Sequence, residues 1–184
     1  MSGSEPPSAS PPLTYGPVGA TARGEVPPGF NGLCVRTRLG SGDAAFRTAS
    51  RALMTWRLHH RMGGVRLAPV APRAAEGVRV GVALGVGPLR VGGPCRVVWT
   101  AEGPDEAGWA YGTLPGHPVR GEEAFLVGRD PGGDVWLTVR AYSVPAAWWT
   151  RAAGPLVPVF QRAYARRCGR VLRRLVSEAG QNGQ

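Results

Sequence analysis

The chain has 184 residues, and 43% of them are hydrophobic, which is enough for one domain with a buried core. Its formal net charge is +10, but every one of the 22 basic residues is Arg, and Ala, Gly, Pro and Val are abundant. A GC-rich genome produces this bias whatever the function, so the charge is weak evidence for nucleic-acid binding. No run of residues approaches the roughly 20 apolar residues that span a bilayer, which argues against a transmembrane helix.

The two ends of the chain differ in composition from the rest. Residues 1–13 are rich in Ser and Pro and nearly free of large apolar side chains. Such a segment cannot bury enough surface to offset its ordering entropy, so we expect a disordered tail. It lacks the basic start and apolar run of a signal peptide, so we expect a cytoplasmic protein. We place one α+β domain at residues 14–178 and a short disordered end at 179–184.

The pattern of reactive side chains does not indicate a cofactor. The three Cys residues lie far apart, at positions 34, 95 and 168, and an odd number without a signal peptide favours reduced thiols. No CxxC pair or other spacing typical of a metal site is present. There is no P-loop, and GVGPLR lacks the third Gly of the dinucleotide fingerprint because Arg90 stands there. We therefore expect no metal and no cofactor.

The first elements are a strand and a helix. Residues 33–39 (LCVRTRL) alternate between apolar and polar, which is typical of a half-buried strand. A helix begins near Ser41 or Asp43, either of which can cap its free N–H groups. Gly63 and Gly64 end this helix. Its apolar face recurs at steps of three and four residues and is made by Phe46, Ala49, Leu53, Trp56 and His60.

The middle of the chain, between residues 65 and 142, loses the helical period. Gly, Pro or Asp interrupts it repeatedly, and the spacing is typical of antiparallel strands joined by short turns. We predict six strands here, at residues 65–70, 78–86, 94–102, 107–114, 122–129 and 134–143.

The C-terminal part predicts a long amphipathic helix. Its buried face is expected to consist of Val157, Phe160, Tyr164, Cys168, Val171 and Leu175. A second stripe, roughly opposite, carries Arg162, Arg166, Arg170 and Arg173. Together these elements predict an α+β fold in which a curved antiparallel sheet wraps around this helix, over a core or over a cavity.

One predicted hairpin, residues 108–127 (GWAYGTLPGHPVRGEEAFLV), contains most of the candidate functional residues. In its first strand Trp109, Tyr111 and Thr113 share a face, because alternate residues of a strand point the same way. The turn is longer than two residues, so His117 lies on a loop and can point over the edge of the sheet.

The second strand of this hairpin begins with two adjacent Glu residues. They point to opposite faces, so only one can face a cavity. Glu123 shares its face with Phe125 and Val127, which makes it our candidate for the inward position. Two interpretations stay open. Either the aromatic side chains fill a core and the Glu residues pair with Arg, or His117 and a Glu form the polar end of an aromatic-lined cavity. The possible Arg partners are Arg96, Arg120 and Arg140.

The segment YGTLPGHPVRGEEAF resembles the signature of the family "domain of unknown function 1990". YGPVGAT, ALMTWRLH and PCRVVW match as well, so the resemblance covers about residues 15–175. The family layout is similar to the START-like or Bet v 1-like helix-grip superfamily, which implies an apolar pocket between the sheet and the last helix. Helix-grip proteins usually start with a long strand, whereas this chain starts with a segment broken by Gly and Pro. The positions that match the signature are Tyr111, Gly112, Thr113, Gly116, His117, Gly121, Glu122 and Glu123.

Three functions remain open. The leading hypothesis is a protein that binds a hydrophobic or amphipathic small molecule. The second is a hydrolase or cyclase-like enzyme that uses His117 with Glu122 or Glu123. The third is binding of an anionic membrane or a nucleic acid through the Arg stripe of the last helix. The ligand contacts expected under the first hypothesis are Trp56, Trp109, Tyr111, Thr113, His117, Glu122, Glu123 and Phe125.

Overall fold

The computed structural model describes residues 11–86, 89–152, 154 and 156–181. Within these residues the strands are β1 Asn31–Ser41, β2 Val65–Pro69, β3 Arg79–Val86, β4 Leu89–Glu102, β5 Glu106–Thr113, β6 Val119–Arg129 and β7 Asp134–Pro145. The helices are α1 Ala20–Arg23, α2 Gly42–Met54, α3 Arg57–His60, α4 Trp148–Ala152 and α5 Leu156–Gln181.

The strands form one antiparallel sheet in the order β1-β7-β6-β5-β4-β3-β2. Register shifts between Arg38 and Gly40 in β1, and between Val97 and Trp99 in β4, are bulges that increase the local bend. The long helix α5 packs against β1 and α2. The predicted α+β fold, a curved antiparallel sheet around a long C-terminal helix, is therefore confirmed.

Side chains are buried on both faces of the sheet. On the inner face, the core joins the sheet to α2, α3 and α5, and its largest members include Leu53, Trp109 and Phe125. The long first strand, which the broken start of the chain argued against, is present as the 11-residue β1. On the outer face, the Gly- and Pro-rich segment 14–30 packs against the sheet. There the rings of Tyr15 and Phe30 pack edge-on against Tyr142, with centroids 5.8 and 5.2 Å away. The outer face thus has a small aromatic cluster of its own.

The predicted first helix is wrong at its C-terminal end. The helix α2 stops at Met54, and Trp56 has a φ of 64°, in the left-handed region. The Trp56 indole is held there because its N–H donates to the Ala71 carbonyl at 3.0 Å. Because of this break, the helical periodicity of α2 does not continue into α3. His59 is therefore buried, whereas the predicted core residue His60 is exposed.

The predicted buried face of α5 is wrong at its N-terminal end. Phe160 is 56% exposed, and Val157 is only half-buried. Further along, Leu172 is buried where the spacing favoured Val171, which is half-buried. The physical reason is that the first turns of α5 lie over a cavity and not over packed side chains. The residues of α5 that are buried are Tyr164, Ala165, Cys168, Gly169, Leu172 and Leu175.

The predicted disordered ends lie mostly outside the described residues, at 1–10 and 182–184. Near the start of the described chain, the Pro11 carbonyl accepts a hydrogen bond from Arg96 Nη1 at 3.2 Å. At the other end, α5 continues through Gln181, so residues 179–181, which were expected in the disordered end, are helical.

The exposure of Phe160 and the burial of Leu172 generate a stability prediction. We expect Leu172→Ala to lower the free energy of unfolding by about 2–5 kcal/mol, as removal of a buried Leu does. Phe160→Ala should cost less than about 1 kcal/mol, since its ring is largely in water. Urea unfolding followed by circular dichroism measures both, with the exposed Arg166→Ala as a control below about 0.5 kcal/mol. Equal losses at Phe160 and Leu172 would show that the first turns of α5 are packed.

Candidate ligand-binding cavity

A cavity of about 420 Å³ lies between the inner face of the sheet and the first turns of α5. Most of its wall is apolar and comes from β3, β4, β5, β6, β7, α4 and α5. The larger apolar side chains in the wall are Val82, Leu84, Val91, Trp149, Leu156, Val157 and Phe160. The polar side chains that reach it from the sheet, the helices and the β5–β6 loop are few. They are Tyr111, Thr113, His117, Glu123, Ser143, Thr150, Gln161 and Tyr164, and Glu122 and Tyr142 also border the cavity.

One rim of the cavity is an exposed apolar surface. Phe160 is 56% exposed, Leu156 is 69% exposed and Val91 is 46% exposed. Trp149 of α4 adds an indole that is 38% exposed. Scattered apolar side chains are ordinary on a protein surface, but a group around the entrance of a cavity is typical of a binding site.

Glu123 is the carboxylate on the cavity side of β6. It pairs in register with Tyr111 of β5 and Ala141 of β7, and all three line the cavity. The Tyr111 hydroxyl donates a hydrogen bond to Oε2 of Glu123. Among the described residues, no Arg or His forms an ion pair with Glu123. Burial raises the pKa of Glu123 to about 7, and the Tyr111 hydrogen bond opposes the rise.

Two tyrosine hydroxyls lie close to this carboxylate. Burial raises the pKa of Tyr111 and of Tyr164 well above the ordinary value, so both stay protonated at neutral pH. The Tyr111 proton is already used in the bond to Glu123. The buried Tyr164 oxygen lies beside the Cys168 thiol, a weak partner, and has no other hydrogen-bond partner within the described part of the chain. Because an unpaired buried hydroxyl is costly, Tyr164 has hydrogen-bonding capacity to offer a bound molecule.

Glu122 faces the other way and anchors the N-terminal segment. Its side chain is 2% exposed. One carboxylate oxygen accepts hydrogen bonds from the Tyr15 hydroxyl at 2.8 Å and the Gly19 N–H at 2.7 Å. The other accepts from the Thr21 N–H at 3.0 Å and from the Thr21 hydroxyl. Both oxygens are therefore occupied by residues of the YGPVGAT segment, and Glu122 is not free to bind a molecule in the cavity.

The glycine before the motif threonine makes this anchor possible. Gly112 pairs in register with Glu122, and a Cβ at Gly112 would collide with the Tyr15 ring. The absence of a side chain at Gly112 lets Tyr15 lie close enough to the sheet to reach the carboxylate. Two of the sequence segments that carry the family resemblance, YGPVGAT and YGTLPGHPVRGEEAF, thus meet on the outer face of the sheet.

His117 lies on the β5–β6 loop at the edge of the cavity. Its Nδ1 is 3.0 Å from the Val119 carbonyl oxygen and 3.2 Å from the Val119 nitrogen. Burial lowers the pKa of His117, which favours the neutral ring. Gly93 of β4 leaves room for the loop, since a Cβ there would collide with His117. The structure gives His117 no hydrogen bond to Glu122 or Glu123 among the described residues, so the predicted His–Glu pair is not formed.

The structure places three of the predicted ligand contacts in the solid core. The Trp109 ring lies 4.9 Å from the Trp56 ring and 5.0 Å from the Phe125 ring, and all three side chains are at most 1% exposed. None of the three lines the cavity. The buried His59, which sequence reasoning missed, packs in the same cluster with its centroid 4.9 Å from Phe125. Burial lowers the pKa of His59 to about 3, so it is neutral.

Tyr164 is the main cavity residue that the sequence patterns did not single out as functional. Its position in the predicted buried stripe of the last helix was visible, but the space beside it was not. Within the described ranges, no group of three His, Cys, Asp or Glu side chains is placed to hold a metal ion. Over the same ranges, no helix is long and apolar enough to cross a membrane.

Solved structures with the same architecture define the class of fold. The crystal structure of Ara h 8.0201 has a TM-score of 0.57 at 8% identity, covering 82% of this chain and 99% of that one. A protein of Thermus thermophilus has a TM-score of 0.57 at 16% identity, covering 81% and 99%. A point mutant of norcoclaurine synthase from Thalictrum has a TM-score of 0.53 at 12% identity, covering 81% and 96%. The fold is that of the Bet v 1-like helix-grip proteins.

Sequence comparison identifies the family within that class. The chain belongs to the family described as Domain of unknown function (DUF1990), which it matches over residues 14–171. A UPF0548 protein of Deinococcus radiodurans is 35% identical over 168 residues, which are 86% of this chain and 85% of that protein. A UPF0548 protein of Arabidopsis thaliana is 30% identical over 137 residues, covering 71% of this chain and 66% of that protein. The resemblance predicted from the hairpin motif is confirmed.

The anchoring role of Glu122 can be tested by removing its charge. We expect Glu122→Gln to lower the free energy of unfolding by about 2–4 kcal/mol, because an amide group replaces an oxygen that accepts two hydrogen bonds. Amide hydrogen exchange at Gly19 and Thr21 should accelerate as their acceptor is lost. The exposed Glu76→Gln is the control, with an expected effect below about 0.5 kcal/mol. Unchanged stability and unchanged exchange in Glu122→Gln would contradict the anchor.

Removing the charge of the neighbouring carboxylate, Glu123, should have the opposite effect on stability. Since the pKa of Glu123 rises from 4.5 to about 7 on folding, the folded protein holds this proton more firmly than the unfolded chain. Wild-type stability should therefore fall as the pH rises through this window and stay level above it. Glu123→Gln removes that loss, so we expect it to be more stable than wild type by about 1–3 kcal/mol near pH 8 and to converge with wild type near pH 4.5. Urea unfolding at several pH values measures the difference, and a pH-independent difference would contradict it.

Proposed function

We propose that this protein binds a hydrophobic or amphipathic small molecule in the cavity between the sheet and α5. The observation that carries the proposal is the cavity itself, of about 420 Å³, with apolar walls and a small polar group around Glu123. Ligand sites typically occupy about 300–1,000 Å³ and combine apolar walls with a few placed polar side chains.

The first turns of α5 support the same proposal. A protein that needed only a stable core would direct the large side chains of these turns inward. Here Leu156 and Phe160 lie at the rim and remain largely exposed. The apolar walls behind them lose the dispersion contacts that a filled core would provide, and a bound apolar molecule would supply them.

Acid–base catalysis is a second candidate, and one observation favours it. Burial raises the pKa of Glu123 to about 7, so this carboxyl can both donate and accept a proton near neutral pH. In such a reaction Glu123 would act with Tyr111 in the positioning role, because both oxygens of Glu122 are occupied and His117 bonds to its own loop. Recovery of a chemically altered ligand from the protein, lost in Glu123→Gln, would identify an enzyme.

Binding of an anionic surface through α5 has less support. Arg162, Arg166, Arg170 and Arg173 are exposed, as the second stripe of the helix predicted. A charged helix face that is solvated is stable without a partner. Salt-dependent sedimentation with anionic vesicles or nucleic acid would test this alternative directly.

The cavity proposal can be tested by filling the cavity. The uncharged fluorescent probe N-phenyl-1-naphthylamine should bind the wild-type protein with increased emission. We expect Ser143→Phe to weaken its binding by at least about tenfold, because Ser143 lines the cavity and the added ring occupies it. The matched control is Val144→Phe, since the next residue of β7 points to the opposite face.

Thermal melts of both variants show whether they remain folded. Absence of probe binding to the wild-type protein, or equal weakening in the two folded variants, would overturn the proposal.

A further inference from the structure

We infer that the cavity prefers amphipathic molecules with a positively charged amine head and disfavours those with a carboxylate head, because the Glu123 carboxylate faces the ligand space and none of the described lining residues is Arg. This inference rests on the proposed binding function and specifies its ligand class. It follows from the hydrogen bonds and charges of the residues that line the cavity.

The hydrogen bonds around Glu123 leave acceptor capacity for a ligand. A carboxylate has two oxygens that can accept about four hydrogen bonds in all. Within the described residues Glu123 receives one side-chain hydrogen bond, from the Tyr111 hydroxyl to Oε2. An ammonium group carries only donors, so it matches a carboxylate that has acceptor sites left over.

The distribution of charge in the chain strengthens this preference. The protein has 22 Arg residues and a net charge of +10, yet none of the described residues that line the cavity is Arg. The basic side chain in this lining is His117, and burial lowers its pKa toward the neutral form. A carboxylate ligand would therefore meet a second carboxylate, and no Arg among the described lining residues offsets the repulsion and desolvation.

Glu123 is also the group around the cavity whose charge changes near neutral pH. Burial raises its pKa to about 7. Burial moves the pKa values of the other titratable groups near the cavity away from neutrality, toward the uncharged form. They are Tyr111 of β5, Cys95 of β4, Tyr164 and Cys168 of α5, and His117 of the β5–β6 loop. Amine binding should therefore strengthen as the pH rises through about 7, while the amine itself stays charged.

The experiment compares three amphiphiles with the same alkyl chain: decylamine, decanol and decanoate. Each displaces N-phenyl-1-naphthylamine from the full-length protein, below its micelle concentration. Near pH 8 we expect decylamine to bind at least about tenfold more tightly than decanol, and decanoate to bind most weakly. Near pH 5.5 the advantage of decylamine over decanol should shrink, because Glu123 is then protonated.

Glu123→Gln provides the decisive comparison. In this variant the ratio of decylamine affinity to decanol affinity should fall to about one and lose its pH dependence. The control Glu106→Gln removes the same charge from an exposed position of β5 and should keep the wild-type ratio. A preference for decylamine that survives in Glu123→Gln, or decanoate binding as tightly as decylamine, would overturn the inference.

Calorimetry gives a second readout that a structural effect of the mutation would not mimic. Binding of an ammonium group should lower the pKa of Glu123, so wild-type protein should release about half a proton per ligand near pH 7. The release is measured from binding enthalpies in two buffers of different ionisation enthalpy, and it should vanish in Glu123→Gln. Binding of all three amphiphiles without an amine preference would leave the cavity proposal intact and reject this inference. Failure of the uncharged probe to bind would reject the cavity proposal itself.

Discussion

The alternation of side chains along β6 is the constraint on which the rest of the structure depends. Two adjacent carboxylates, Glu122 and Glu123, cannot point to the same face of a strand, so each enters a different environment. Glu122 meets four hydrogen-bond donors on the outer face, from Tyr15, Gly19 and Thr21. Glu123 meets one side-chain donor on the inner face, the Tyr111 hydroxyl. Two identical neighbouring residues thus have different roles: Glu122 anchors the N-terminal segment, and Glu123 lines the cavity.

The anchor and the cavity support each other through the sheet. By holding the segment 14–30 on the outer face, Glu122 covers the side of β6 that would otherwise face water. This segment precedes β1, the long first strand expected of a helix-grip protein, which is present at Asn31–Ser41. On the inner face, Glu123 lies among the mostly apolar residues of the cavity wall, with the Tyr111 hydroxyl as its side-chain donor. The low solvation of Glu123 and the full hydrogen bonding of Glu122 are two results of one strand geometry.

The helix α5 divides in a similar way along its length. Its middle turns pack into the core through Cys168, Leu172 and Leu175, whereas Phe160 near its start remains exposed beside the cavity. The packed part fixes the position of the helix, so the first turns can leave a space without destabilising the whole fold. Tyr164 lies at the boundary, with its ring buried and its hydroxyl unpaired among the described residues.

The sequence by itself determined the elements, the family and the inward direction of Glu123. Alternation of apolar residues located the strands, and a period near 3.6 located the helices, because these patterns record which side chains avoid water. Only the tertiary structure decided what each side chain meets. The partners of Glu122 lie more than 100 residues away in the chain, and the exposure of Phe160 reflects a space that no local pattern encodes. Trp109 and Phe125 have the same periodicity as Tyr111 and Glu123, yet the first two fill the core and the other two line the cavity. That difference arises because α2 and α3 cover one end of the inner face, whereas the first turns of α5 stand off from the other.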